Sequence, residues 1–253
     1  MIGHEIHAHY RAPMEPRGAE PGGSAPAQRL GWGIPDAAIA FVLSLLAASV
    51  ADTPFISHGR LPRHLEVRAS LAAIGAQTAA TVVYLAFAAR RGRGSLRADF
   101  GLRLSARDGL WLLVGLGLAV VSGVLIAPII DAGHLHSSSQ EVVRTFQRAQ
   151  GLDTTFFVLA VLLVAPVGEE LLFRGVLLRA LLRRTSPATA IWVAALAFAL
   201  VHVILDPGAG FAVPALLLLG LLAGYEAWRT GDLSRSILLH AGFNLVAVLQ
   251  IVT

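Results

Sequence analysis

The 253-residue chain contains no cysteine and no lysine, and only 14% of its residues are charged. The absence of cysteine excludes a disulfide framework, a thiolate nucleophile and a cysteine-ligated zinc site. The shortage of charge is more informative about the class of protein, because about 25% of the residues of a typical soluble domain are charged. Together with 55% hydrophobic residues and a mean hydropathy of +0.67, it excludes a soluble globular protein and, for most of the chain, intrinsic disorder.

Apolar runs recur seven times along the chain, each long enough to cross a bilayer as a helix, which takes about 17–25 residues. The runs are rich in Leu and Ala and do not alternate apolar with polar residues, so strands are not expected. The sequence therefore predicts an all-α, polytopic membrane bundle of about seven helices, within a range of six to eight, and no sheet. The runs cover 34–51, 69–89, 109–130, 154–180, 188–205, 211–228 and 236–252.

Two domains are predicted, a disordered cytoplasmic tail over 1–31, rich in Pro, Gly and Ala, and a transmembrane domain over 32–253. If each run crosses once, 14 arginines fall on the side of the tail and 5 on the other. The positive-inside rule then predicts a multi-pass protein of the cell membrane with its N-terminus in the cytoplasm and its C-terminus outside. Segment 137–151 could form a short interfacial helix. Nucleic acid is not an expected partner, because no basic segment is interleaved with aromatic residues.

The fourth run carries an unusual cluster of charge, formed by Glu169, Glu170 and Arg174. A charged side chain at the centre of a bilayer costs on the order of 3 kcal/mol, so such residues mark a functional site by default. Glu170 and Arg174 are spaced for an i,i+4 ion pair in the favourable orientation. That pair leaves Glu169 without a partner on its own helix and makes it a candidate general base. Pro166 should kink the helix just before the cluster. The alternative is that the three charges only hold helices together.

Two later runs carry the other strongly polar side chains. His202 lies in the fifth run, and His240 and Asn244 lie one turn apart on one face of the seventh. Each alone is typical of a packed or hydrogen-bonded membrane residue. Together with Glu169 they predict a shared pocket, because such side chains should face the interior of the bundle.

Three stretches of the sequence resemble the three motifs of the CPBP family (CAAX protease and bacteriocin-processing, or Abi). They are Glu169-Glu170-Leu171-Leu172-Phe173-Arg174-Gly175, Phe198-x-x-x-His202 and His240-x-x-x-Asn244. This family includes the type II CAAX prenyl endopeptidases. The resemblance covers about 100–250, which would be the catalytic core. It implies membrane helices around a cytoplasm-facing catalytic cavity.

The resemblance also implies roles for residues. Glu169 would activate water for peptide hydrolysis, assisted by His202, and His240 and Asn244 would stabilise the oxyanion. The supporting residues would be Glu170, Arg174, Phe173 and Phe198. No cofactor is favoured, although Glu169, His202 and His240 could bind Zn²⁺ with an open position.

The function predicted from these motifs is an intramembrane endopeptidase acting on a membrane-associated, CAAX-like or prenylated protein or peptide. Its expected partners are a membrane-anchored substrate and the lipid bilayer, and the sequence gives no oligomeric state. One alternative is a non-catalytic scaffold or a bacteriocin self-immunity protein of the same fold. Another is a small proton-coupled transporter, against which the lack of a convincing internal repeat counts.

Overall fold

The computed structural model of the chain describes residues 31–132 and 141–252. This part is an all-α bundle without strands, apart from one isolated bridge between Ser57 and Arg60. The disordered tail predicted for the first 31 residues falls almost entirely outside the described residues. The helices are α1 (Ile34–Asp52), α2 (Glu66–Ala89), α3 (Leu96–Phe100), α4 (Leu110–Ala132), α5 (Glu141–Arg148), α6 (Leu152–Leu182), α7 (Pro187–Leu205), α8 (Val213–Thr230) and α9 (Ser234–Val252).

Each of the seven apolar runs forms a helix whose ends lie within about three residues of the predicted ones. Within the described residues, six stretches of helix are long and apolar enough to span a membrane, and α9 adds a shorter apolar helix over Ser234–Leu249. The predicted all-α polytopic bundle is therefore confirmed. A helix also forms within the predicted interfacial segment, as α5.

Large apolar side chains point away from the bundle on several of these helices. Leu46 on α1, Val83 on α2, Val124 on α4 and Trp192 on α7 all lie more than half exposed. Soluble monomers rarely expose contiguous apolar surface on this scale. In a membrane protein such faces contact lipid, so the exposed apolar side chains agree with the apolar composition of the chain.

Helix α6 is a continuous helix that contains two π-helical segments, Ala160–Val164 and Leu171–Leu178. Pro166 lies just after the first segment and has no N–H to donate to the preceding turn. Two carbonyl groups of this segment bond to other helices instead. The Val164 carbonyl accepts a hydrogen bond from Thr78 on α2 at 3.2 Å, and the Val161 carbonyl accepts one from Asn244 on α9 at 2.9 Å. The irregularity in α6 therefore ties it to both neighbours next to the charged cluster.

Helices α4 and α9 approach each other through glycine. A Cβ added at Gly242 would lie 1.9 Å from the carbonyl oxygen of Leu112, and one at Gly115 would lie 1.9 Å from that of Leu239. Neither position can hold a side chain at this separation. The close contact fixes the face of α9 that carries His240.

The arginine-rich connections gather at one end of the bundle and close it. In the connection after α2, the buried Asp99 accepts hydrogen bonds from the indole of Trp32 and the backbone N–H of Arg93, both at 2.9 Å. The Arg183 guanidinium stacks on the Trp32 ring, 4.3 Å from its centroid. Arg179 donates to the backbone carbonyl of Asp99 at 3.2 Å. These contacts join the N-terminus of α1, the α2–α4 connection and the C-terminus of α6 into a packed layer.

At the opposite end of the bundle, two ion pairs join α2 to α5 and α6. Arg148 at the end of α5 pairs with Glu66 at the start of α2. Arg68 pairs with Asp153 at the start of α6 at 3.1 Å. These pairs are partly solvated, and exposed pairs of this kind contribute about 0–1 kcal/mol each.

Candidate active site

Helices α6, α7 and α9 bring three of the four candidate catalytic residues close together. The Oε2 atom of Glu169 lies 3.6 Å from Nε2 of His202 and 3.7 Å from Nε2 of His240. Glu169 is predicted from the sequence to lack a partner on its own helix, and its neighbours indeed come from two others. The structure thus places together groups that are separated by up to 71 residues in the sequence.

The second ring nitrogen of each histidine is held by a hydrogen bond of its own. Nδ1 of His202 donates to the carbonyl oxygen of Phe198 at 2.8 Å. Nδ1 of His240 donates to Oε1 of Glu170 at 2.9 Å. A hydrogen bond at one nitrogen fixes the orientation of the ring and the direction of the other nitrogen. Both Nε2 atoms are therefore directed toward Glu169.

Glu170 and Arg174 form the i,i+4 ion pair that their spacing predicts, with Nη1 of Arg174 2.9 Å from Oε1 of Glu170. Both side chains are completely buried. Arg174 also donates to the carbonyl oxygen of Gly220 on α8 at 3.4 Å, and its guanidinium lies 4.4 Å from the ring centroid of Phe198. The Glu170 carboxylate therefore pairs with the Arg174 guanidinium on its own helix and also accepts a hydrogen bond from the His240 ring.

Phe198 is the packing centre of the site. Its fully buried ring contacts Phe173 edge-on at a centroid distance of 5.3 Å. The rings of His202 and His240 lie 4.5 and 5.5 Å from it. The rings of the two motif phenylalanines therefore support the polar groups by packing, and Phe198 also contributes its backbone carbonyl oxygen to His202.

Asn244 lies one turn beyond His240 on α9. Its amide nitrogen donates to the Val161 carbonyl, and the residue lines the same cavity as Glu169. One amide N–H is used in that bond, which leaves the other N–H and the side-chain oxygen for other partners.

A cavity of about 280 Å³ lies between α2, α6, α7, α8 and α9, with Glu169 and both histidines in its wall. A second lobe of about 210 Å³ extends toward α1. The two lobes share four residues, which are Gln77, Glu169, His202 and Asp206. The Glu169 carboxylate therefore lies where the lobes meet.

Two polar residues of the second run were not singled out from the sequence. Gln77 lines both lobes, and Thr78 binds the π segment of α6 and packs against Gly168. The available signal was the Gln77-Thr78 pair inside an otherwise apolar run. Amides and hydroxyls are common in membrane helices, so this pair does not predict a site unless α2 is known to pack beside α6.

The part of the chain that the structure describes contains no group of three or more His, Cys, Asp or Glu residues arranged to hold a metal ion. Glu169, His202 and His240 nevertheless supply the donor types that Zn²⁺ prefers. Oε2 of Glu169 is buried and has no hydrogen-bond partner among the residues that the structure describes.

Residues 151–246 match a family model described as type II CAAX prenyl endopeptidase Rce1-like. The segment is therefore similar to that family. It contains all three motifs, so the resemblance drawn from them is confirmed, although the match covers less than half of the chain. Searches of the curated proteins and of the solved structures returned no match.

The matched segment begins at the start of α6 and ends within α9, and it includes every candidate site residue. Together with the apolar helices it supports a multi-pass membrane protein whose core is similar to a protease family. Helices α1 and α2 lie outside the match, yet α2 forms one wall of the cavity.

Proposed function

We propose that the protein is an intramembrane endopeptidase that hydrolyses a peptide bond of a membrane-associated protein or peptide. Glu169 is the general base, and CAAX-like or prenylated segments are one substrate class. The observation that carries the proposal is the convergence of two histidine Nε2 atoms on the buried Oε2 of Glu169 at a cavity wall. This oxygen has no hydrogen-bond partner among the described residues.

The separation of these groups suits a bound water. Distances of 3.6 and 3.7 Å are longer than a direct hydrogen bond, and a water can bridge polar groups across such a gap. Glu169 takes one proton from this water as its oxygen attacks the carbonyl carbon of the substrate. His202, whose ring is held by the Phe198 carbonyl, orients the water through Nε2.

The tetrahedral intermediate carries a negative charge on the former carbonyl oxygen. His240, whose Nδ1 is held by Glu170, faces this oxyanion with Nε2 and supplies one donor. The free amide N–H of Asn244 supplies a second donor. Each preorganised donor of this kind contributes on the order of 3 kcal/mol to stabilising a transition state. The C–N bond then breaks, and Glu169 returns its proton to the leaving amine.

The cavity walls favour apolar residues on both sides of the scissile bond. The larger lobe is lined by Ile74, Leu216 and Phe243. The second lobe is lined by Phe41 and Leu172. We further propose that the protein lies in the cell membrane with the N-terminus in the cytoplasm, because most arginines lie on that side.

The proposal is metal-free, with zinc as the alternative for the same three residues. In a zinc enzyme Glu169, His202 and His240 would hold the ion, which would lower the pKa of its bound water. Treatment of the purified protein with a chelator separates the two. Activity that survives chelation supports glutamate chemistry, and activity that is lost and restored by Zn²⁺ overturns it.

Comparative profiling of membrane peptides tests the proposal and finds the substrate. Membranes of cells that express the wild type are compared with those that express Glu169→Gln. Glu66→Gln serves as a matched control, because Glu66 pairs with Arg148 away from the cavity. Peptides that shorten with the wild type and with Glu66→Gln, but not with Glu169→Gln, support the proposal. Identical profiles for all three would overturn it.

A further inference from the structure

A groove of about 790 Å³ lies on the surface of the bundle between α1 and α2. It is separate from the cavity at Glu169, because none of its lining residues lines either lobe of that cavity. Val50 on α1 and Val83 on α2 both line the groove, and they are 67% and 68% exposed. The groove is therefore open to the surroundings of the bundle. Both helices precede 151–246, so the family match does not include this surface.

The walls of the groove are apolar. They consist of Leu, Val, Ala and Phe side chains and one tyrosine, Tyr84, whose hydroxyl donates to Asp36 at 2.9 Å. An extended peptide bound here would leave its backbone N–H and C=O groups without partners, which is costly in an apolar environment. A hydrocarbon chain carries no such groups. The chemistry of the walls therefore favours a lipid tail over an unfolded polypeptide.

The length of the groove corresponds to one leaflet of a bilayer. Along α2 its lining residues extend from Ala76 to Phe87. At a rise of about 1.5 Å per residue this part of the helix is roughly 16 Å long. Half of a hydrocarbon core about 30 Å thick is roughly 15 Å. An acyl chain from one leaflet therefore fits the groove, whereas a membrane-spanning helix would need about twice this length.

Arg90 lies at the end of the groove that is nearest the arginine-rich connections. It follows the last turn of α2, and its guanidinium lies 6.0 Å from the centroid of the Phe87 ring, which lines the groove. The Arg90 side chain is exposed. Its neighbour Arg91 instead pairs with Asp36. An acyl chain in the groove would place the phosphate of its headgroup near Arg90, and a guanidinium binds phosphate well.

We propose that this groove binds one anionic phospholipid from the leaflet at the arginine-rich end, with an acyl chain between α1 and α2 and its phosphate at Arg90. The proposal is independent of the cleavage reaction and of the side of the membrane that this end faces. One arginine near the membrane surface strengthens the binding of anionic lipid about fivefold. A zwitterionic lipid binds more weakly, because its own cation offsets the charge of its phosphate.

Native mass spectrometry of the full chain in a non-ionic detergent tests the role of Arg90. The protein is titrated with phosphatidylglycerol and with phosphatidylcholine of the same acyl chains. We expect the wild type to bind one phosphatidylglycerol about fivefold more tightly than phosphatidylcholine, and Arg90→Gln to lose this preference. Arg107→Gln, at an exposed arginine of the α2–α4 connection, should keep it. Equal affinities of the wild type for both lipids, or equal losses in the two variants, would overturn the proposal.

A second pair of variants tests the groove itself. Ala80→Leu adds a larger side chain at a lining residue, and Ala79→Leu adds the same side chain at the exposed neighbouring residue outside the groove. We expect Ala80→Leu to weaken the binding of both lipids severalfold and Ala79→Leu to leave both affinities unchanged. Unchanged affinities in Ala80→Leu would overturn the proposal. A wild-type dimer that Ala80→Leu dissociates would also overturn it, because a second copy of the chain would then occupy the groove.

Discussion

His240 and Arg174 share one oxygen atom of Glu170, which accepts a hydrogen bond of 2.9 Å from each. A single buried carboxylate thus links an ion pair within α6 to the ring orientation of a histidine on α9. The ion pair alone is what the i,i+4 spacing predicts. The bond to His240 gives the pair a role in positioning the site.

Replacement of Glu170 by Gln tests this positioning role. The variant loses the charge that holds the His240 ring, and a hydrogen bond to a charged group contributes about 1.5–3 kcal/mol. We expect kcat to fall about 10- to 100-fold, with KM little changed. Steady-state cleavage of a substrate peptide measures both constants.

Glu226→Gln is the matched control for Glu170→Gln. Glu226 is also buried and bonds to two arginines, Arg229 and Arg235, but it lies at the arginine-rich end. The control should lose stability and keep the kcat of its folded fraction. Equal losses of kcat in the two variants would show that Glu170 acts only through stability.

Replacement of Arg174 by Met tests the energetics of the buried pair. Removal of one partner leaves an uncompensated charge in the core, which destabilises a protein by about 3–5 kcal/mol. We expect a large drop in the thermal unfolding temperature in detergent. The double variant Glu170→Met/Arg174→Met should recover most of that stability and yet cleave poorly, because His240 has lost its acceptor. A double variant as unstable as the single one would contradict this explanation.

Glycine at position 242 is required by the contact between α4 and α9. In Gly242→Ala the new Cβ would meet the Leu112 carbonyl, so α9 must move and carry His240 with it. We expect lower stability and weaker cleavage. Gly117→Ala on α4 is the control, because nothing lies near its Cβ and Ala favours a helix by up to about 1 kcal/mol. Similar unfolding temperatures for the two variants would contradict the close contact.

Gln77 on α2 should bind the substrate rather than support the fold. Its side chain lines both lobes of the cavity, next to Glu169. In Gln77→Met the shape is nearly kept and the amide is lost. A neutral hydrogen bond is worth about 1 kcal/mol, so we expect KM to rise about fivefold, with unchanged stability. An unchanged KM would show that the substrate does not contact this amide.

Much of the fold could be predicted from the sequence because membrane helices are specified by composition and length. The seven long helices follow from the apolar runs, and the Glu170–Arg174 pair follows from helical spacing. The first 30 residues, where the tail is predicted, lie outside the described residues, and the predicted domain boundary stays a prediction.

The parts of the site that depend on packing between helices could not be predicted. Spacing along one helix does not reveal that His240 contacts Glu170, because the two residues lie on different helices. The same holds for the bond of Asn244 to Val161, which needs the π segment of α6. The position of the cavity within the bundle could not be predicted either, because it depends on how side chains from several helices pack.

Glu169 is proposed to activate the water that cleaves the peptide. The single-turnover cleavage rate of Glu169→Gln is the most direct test of this role. The amide keeps the shape of the carboxylate but cannot accept the proton. We predict a rate lower by about 10²- to 10⁴-fold, the range for loss of a general base, at an unchanged thermal unfolding temperature. A folded Glu169→Gln variant that cleaves the same peptide at the wild-type rate would contradict the claim.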